Sequence, residues 1–356
     1  GDTENDGNRA GDGNTAASGT SGRGGDGGGI RANSGVAVTL DGTQVAHNVA
    51  GTGGDNNASS LGGRGGDGGG ASTAGNVSVS TSRIHDNRAG AGGQSVSSTG
   101  GNGGVGGGIA VSGVASAILT LDDSEVADNA AGSGGASSTS TGGGGGAGGG
   151  FRFAGSEVSI TSSLIAGNSA GDGGAGNSGG TGGSAGGFDV VGISGSTPSI
   201  DVTASTIRDN TAGNGGAGSS DGLAGRTGGG QISDSPSAVV TDSLVTGNST
   251  ERGGGGLYLI DSSSSIANST LDTNFANGGG ALWVSGGVLT VASTTFGSNT
   301  APIASTLNNE GASVTVSRTA LVDPLGGGNH CAGDVLIDGG DNVEQEPDGP
   351  GSCGVA

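Results

Sequence analysis

The chain has 356 residues, 90 of them glycine, and a formal net charge of −21 at pH 7. All 11 basic residues are arginine, so lysine Schiff-base chemistry and a lysine-lined anion site are excluded. So acidic a surface repels nucleic acid and anionic lipid, and no apolar run approaches the roughly 18 residues of a membrane span; neither nucleic-acid binding nor membrane insertion is expected.

A quarter glycine without a strict every-third-residue period would ordinarily indicate disorder. The apolar residues nevertheless recur in register. The chain opens on Thr3-Glu4-Asn5-Asp6-Gly7-Asn8-Arg9-Ala10, which matches the end of a unit seen complete later, at His85-Asp86-Asn87-Arg88-Ala89. The first half of that unit is expected from a neighbouring copy, packed head to tail as a filament, or from a segment removed by processing. The full unit is an apolar-x-apolar strand, then Ser or Thr, one residue, an apolar residue, two residues and Asn. It runs from Val77-Ser78-Val79 to Asn87, from Val158-Ser159-Ile160 to Asn168, and from Leu289-Thr290-Val291 to Asn299. Period-two alternation over such short runs predicts strands.

The anchoring asparagines are Asn48, Asn87, Asn129, Asn168, Asn210, Asn248, Asn274 and Asn299, with Asn8 in the opening fragment. The last two spacings are 26 and 25 residues, the length of three short strands plus turns. The fold class predicted is all-β, a right-handed parallel β-helix of about nine coils over residues 1–325. The asparagines should then stack as a buried ladder, and the Ser/Thr column five residues earlier (Thr43, Ser82, Ser124 and their successors) should also point inward. A final unit, Val314-Thr315-Val316 to Leu321, has Pro324 at the asparagine position.

Between Asn8 and Asn248 the spacing is longer, 38 to 42 residues. The extra residues leave just after each Asn through Ala-Gly-x-Gly and mostly return through Gly-Gly-x-Gly-Gly-x-Gly-Gly-Gly, as at Gly62–Gly70. Flexible loops are the ordinary reading of such composition. Near-uniform insert length and a three-residue period in both legs favour order, because three residues per turn is the polyproline II repeat. Six stacked hairpin-like arms are predicted at 11–29, 51–70, 90–108, 132–150, 171–187 and 213–230. Residues 326–356 read as a C-terminal cap closed by a Cys331–Cys353 disulfide, which implies an oxidising compartment; two free thiols are the alternative.

The coil unit followed by Gly254-Gly255-Gly256-Leu257 or Gly278-Gly279-Gly280-Ala281 resembles the bacterial β-helix proteins of the pectate-lyase-like superfamily, in the style of polymorphic-outer-membrane-protein repeats. The tail, His330-Cys331-Ala332-Gly333 to Ser352-Cys353-Gly354, is similar to the C-terminus of secreted proteins of the choice-of-anchor type. The resemblance implies export and surface association, and no particular activity. The long glycine arms depart from that pattern, and their role does not carry over.

Catalysis on this fold needs clustered carboxylates. On the strand before the Ser/Thr column, carboxylates are scattered (Asp41, Asp122, Asp201), and the best carboxylate-plus-arginine set is Asp201 with Arg208 and Asp209. His47 and His85 stand one coil apart near Asp86 and Asp128, as a divalent metal would require. Exposed turn residues are the commoner case, so no metal site and no cofactor is assigned. The acidic tail (Asp334, Asp338, Asp341, Glu344, Glu346, Asp348) offers calcium a loose site without an EF-hand or nonapeptide motif. Sequons at Asn57, Asn76, Asn248 and Asn268 are expected by chance in so Ser/Thr-rich a chain. The expectation is a secreted, non-enzymatic structural or adhesive protein of a cell surface, matrix or filament, with itself or an extracellular polysaccharide as partner. A β-helix polysaccharide lyase or glycoside hydrolase is the first alternative. An ice-binding protein using its Ser/Thr ranks is the second, by analogy of fold alone.

Overall fold

The computed structural model describes residues 7–17, 19–58, 60–322, 329–345 and 352–355. Thr3–Asp6, Pro324, Glu346 and Asp348, which figure in the sequence reading, lie outside them. The described chain is an all-β parallel solenoid, and among these residues no helix is long and apolar enough to cross a membrane. Each rung contributes three short strands, for example Ala71–Thr73, Val77–Ser80 and Arg83–His85. Equivalent strands pair in parallel with the rungs before and after. The first two ladders merge into an 18-stranded sheet, since Leu257–Ala267 and Leu282–Ala292 run through both; the third ladder is a separate 10-stranded sheet. The tail continues the stack: Asn329–Gly333, Ile337–Asp338 and Val343–Glu344 each pair with the preceding rung. Within it Cys331 and Cys353 form a disulfide with a Cα–Cα distance of 4.9 Å.

Two columns of left-handed residues turn the corners. One precedes the Ser/Thr column (Thr81, Asp123, Ser162, Ala204 and Asp242), and the other precedes the asparagines (His47, Asp86, Asp128, Gly167 and Asp209). A non-glycine residue in that region costs roughly 1–2 kcal/mol, so the stack must hold each turn against local preference. The side chains that follow supply the hold. Asn168 donates its backbone N–H and its Nδ2 to Asn210 Oδ1, at 3.0 and 2.9 Å, and a further Nδ2 bond reaches Val126 O on the rung behind. The same pattern runs from Asn48 through Asn87, Asn129, Asn210, Asn248 and Asn274 to Asn299. Ser124 donates its N–H to Ser163 Oγ at 3.1 Å, while its own hydroxyl bonds Asp122 O at 2.7 Å. In the tail rung Asn342 replaces the serine, accepting Thr319 N–H at 3.0 Å.

Inside, apolar residues of the three ladders stack rung on rung, as with Val79, Leu121, Ile160 and Val202 in the second. Each such side chain contributes roughly 1.5–3 kcal/mol on full burial. Volume is matched between rungs: the rings of Phe151 and Phe188 stack at 5.4 Å, and next comes Gly230, where a Cβ would collide with the Phe188 ring.

The glycine-rich inserts are tied to one another by their backbones. Gly90 and Gly93 donate N–H bonds to Gly66 O and Gly63 O of the previous insert, at 2.8 Å each. Gly104 and Gly101 donate back to Gly90 O and Gly93 O of their own insert, while Gly92 and Gly103 donate to Ser133 O and Gly144 O of the next. A Cβ built at Gly66 would fall on the Gly25 carbonyl oxygen, and one at Gly104 on that of Gly66. The contact is backbone against backbone, which only glycine permits.

Candidate ligand-binding column

The residues singled out from sequence are only partly brought together. Asp201 is exposed on the second ladder, and its Oδ1 accepts the Thr203 hydroxyl at 2.7 Å. Arg208 lies on the third ladder and bonds its neighbour Asp209 at 2.6 Å; no hydrogen bond or ion pair joins either of them to Asp201 among the described residues. The acidic tail is engaged locally. Asp334 accepts Gly311 N–H, Asp338 accepts Gly340 N–H and Asn342 Nδ2, and Glu344 accepts Ser352 Oγ and Cys353 N–H. The outward Ser/Thr ranks of the second ladder fall in register, with Asp41, Asp122 and Asp201 interrupting them.

The histidines do meet. Ligand atoms of His47, His85 and Asp86 all lie within 4.8 Å of one another. His85 is mostly buried; its Nδ1 is 2.7 Å from Asp86 Oδ2, its Nε2 touches the Gln44 amide, and its ring meets that of His47 edge-on at 5.7 Å. Asp128 is left out of this group and leans over the next turn, where a Cβ on Gly167 would touch its Oδ1.

A column that the sequence reading passed over lies on the outer face of the first ladder. By register it runs Arg152, Asp189, Gln231, Tyr258, Trp283 and Asn308 on successive rungs; Asp189, Tyr258 and Asn308 are buried, and Arg152, Gln231 and Trp283 are half-buried. Tyr258 and Trp283 are the only tyrosine and the only tryptophan in the chain. Their rings pack at 5.6 Å with a 54° tilt, and the Arg226 guanidinium sits 5.9 Å over the tyrosine ring. Asp189 accepts Arg152 Nε at 3.0 Å and Gln231 Nε2 at 3.1 Å. Burial pushes its carboxyl above the ordinary aspartate value, although Arg152 and Gln231 pull the other way; the Asp189 side chain is only 4% exposed, so loss of water outweighs the ion pair. Gln231 Oε1 and Trp283 Nε1 are enclosed without a protein partner, and each such group forfeits about 1–3 kcal/mol of hydration.

This column was hidden because its residue type changes from rung to rung and its strands open soon after glycine runs, while the repeat is anchored on the distant asparagine. The usable signal was the second strand residue after the glycines, as in Gly150-Phe151-Arg152, Gly187-Phe188-Asp189 and Gly256-Leu257-Tyr258. Compared with known proteins, the chain matches no family model, no curated protein and no solved structure.

Proposed function

We propose that the chain is a non-enzymatic, extracellular structural or adhesive protein of a surface, matrix or filament, and that it grips polysaccharide along the Arg152–Asn308 column. In this reading the solenoid is a right-handed β-helix of the pectate-lyase-like kind, and the glycine-rich segments are six stacked polyproline-II-like arms that stiffen one side of it. The observation that carries the proposal is the chain's single Tyr–Trp pair, set on successive rungs in line with Gln231, Asp189 and Arg152. The half-buried Trp283, backed by the buried Tyr258, offers an aromatic surface to the C–H face of a sugar, and the half-buried Gln231 amide and Arg152 guanidinium beside it match sugar hydroxyls. Five rung steps at about 4.8 Å give a strip of roughly 24 Å, suited to an extended chain more than to a small molecule. A non-enzymatic role is favoured because Asp189 is the only carboxylate of the column and is held between Arg152 and Gln231, whereas glycoside hydrolysis uses a carboxylate pair.

One observation favours the enzymatic reading, the raised pKa of Asp189 beside an arginine, an arrangement found where a carboxyl serves as general acid. Affinity electrophoresis through acidic and neutral glycans, with product analysis on the same glycans, separates the two. Retention without turnover, lost in Trp283→Ala, is the expected result. Retention unchanged in both Trp283→Ala and Tyr258→Ala would remove the column. Turnover abolished by Asp189→Asn, with retention kept, would establish the enzyme.

A further inference from the structure

We propose that His47, His85 and Asp86 form a divalent-cation site of the zinc type, at a single step of the solenoid and independent of the glycan column. The donor set is two imidazoles and one carboxylate with ligand atoms within 4.8 Å of one another. Donors on a tetrahedral zinc sit roughly 3.4 Å apart, given metal–nitrogen distances near 2.0–2.1 Å. Rotation of the exposed Asp86 and the half-exposed His47 toward the buried His85, on a fixed backbone, closes that difference. Two nitrogens and one oxygen leave at least one position for water, and imidazole-rich sets favour zinc, copper or nickel over calcium or magnesium.

The backbone accounts for the placement. His47 and Asp86 occupy the same left-handed corner position on adjacent rungs, with φ of 59° and 55°. His85 precedes Asp86 at the end of its strand, so one corner presents three donors to one point. Elsewhere the corresponding pair reads Ala127-Asp128, Ala166-Gly167 or Arg208-Asp209, which supplies no imidazole. The third histidine, His330, is already engaged at both ring nitrogens, by the Thr306 hydroxyl at 3.1 Å and Gln345 O at 2.7 Å.

Around the donors stands an orienting partner. His85 Nε2 faces the Gln44 side-chain amide. In the structure the amide nitrogen of Gln44 is the end that faces the ring; with the amide flipped, its oxygen would accept Nε2–H, and Nδ1, which lies 2.7 Å from Asp86 Oδ2, would be the ligand atom. Ligating histidines commonly have such an outer partner on the second ring nitrogen, and the two ends of an amide exchange by a simple flip.

The test is titration of the purified chain with zinc chloride alone, followed by calorimetry, with cobalt(II) as a spectroscopic stand-in. The expected result is one ion per chain and tetrahedral-range cobalt absorption. His47→Asn keeps a residue that tolerates the left-handed corner and should weaken binding at least tenfold; His85→Gln and Asp86→Asn should each do the same, while Asp128→Asn should change nothing. Far-UV circular dichroism confirms that each variant is folded, and His47→Asn decides the matter should His85→Gln fail to fold. Zinc binding unchanged in His47→Asn, or absent from the parent at millimolar zinc, overturns the site.

Discussion

Asp67 Oδ1 accepts the backbone N–H of Val105 at 2.8 Å, reaching from one glycine-rich segment to the next. In these segments the glycine N–H groups bond neighbouring backbones, and the third residue of each triplet needs another acceptor. At several of these positions an Asp or Asn on the preceding segment provides it: Asp12 for Thr52, Asp55 for Gln94, Asp26 for Asp67, Asn102 for Gly144 and Asp172 for Asn214. Asp67 also receives Arg23 and Arg64 at 2.7 and 2.8 Å. Asp67→Ala should therefore cost about 1–3 kcal/mol by stranding the Val105 amide. Asp67→Asn keeps the acceptor and loses only partly exposed ion pairs, worth under about 1 kcal/mol. Amide exchange at Val105, read beside thermal melts, checks this; equal losses in the two variants would assign the effect to charge.

A second contrast separates two glycines of neighbouring segments. At Gly104 a Cβ would land on the Gly66 carbonyl, whereas at Gly144 its nearest neighbour is Thr181 Oγ1 at an ordinary 3.4 Å. Gly104→Ala should destabilise by about 3 kcal/mol or more through overpacking against rigid backbone. Gly144→Ala should be neutral, or stabilising by up to about 1 kcal/mol through the unfolded chain. Paired denaturant melts settle it, and equal tolerance of both changes would mean that the inserts are not packed on one another.

Buried Asp189 gives a pH dependence of definite sign. Its folded pKa is raised, chiefly by burial, so between the ordinary aspartate value near 4 and the raised value the folded state holds more protons than the unfolded. Stability attributable to this group is greatest below the ordinary value and falls as pH rises through the raised one. Asp189→Asn should flatten that fall in melts taken from pH 4 to 8, and an unchanged slope would contradict the assignment. Asp12 has the opposite sign: the Thr52 N–H, then Arg9, lower its pKa, so its small contribution is present above the ordinary aspartate range and lost on acidification.

How far the sequence alone reaches depends on whether a role is carried by one rung or by the relation between rungs. The asparagine and serine columns were legible because each copy repeats the same type at the same spacing, and their bonds at 2.9–3.1 Å follow from stacking. The Arg152–Trp283 column was not, since its residue type changes at every rung and only the strand register aligns it. Asn342 was missed for a related reason: it fills the serine position where the tail's spacing has changed. The approach of His47 to His85 was visible as a one-rung separation. That Asp86 joins them while Asp128 does not depends on side-chain direction at the left-handed corner.

The disulfide supports a prediction about where stability resides. Cys331 and Cys353 are separated by 22 residues, and closing a loop of that length stabilises by about 3 kcal/mol in the chain-entropy account. In a solenoid each rung touches mainly its neighbours, so the effect should stay local. The bridge spans the tail rung, Asn329–Gly333 to Val343–Glu344, which pairs on one side with Ala304–Glu310, Ser313–Ser317 and Ala320–Leu321. Three further rungs separate it from the last glycine-rich insert. Replacing both cysteines by serine keeps the Glu344 bonds to Ser352 Oγ at 2.8 Å and to the residue 353 amide at 2.5 Å, together with the buried Val355, at that end. The expected outcome is faster amide exchange over residues 329–345, a smaller increase over 304–321, and none at Gly90, Gly93 or Gly104, with the main melting transition nearly unmoved. A uniform rise in exchange along the whole chain would show instead that the tail rung closes a single cooperative unit extending to the glycine-rich segments.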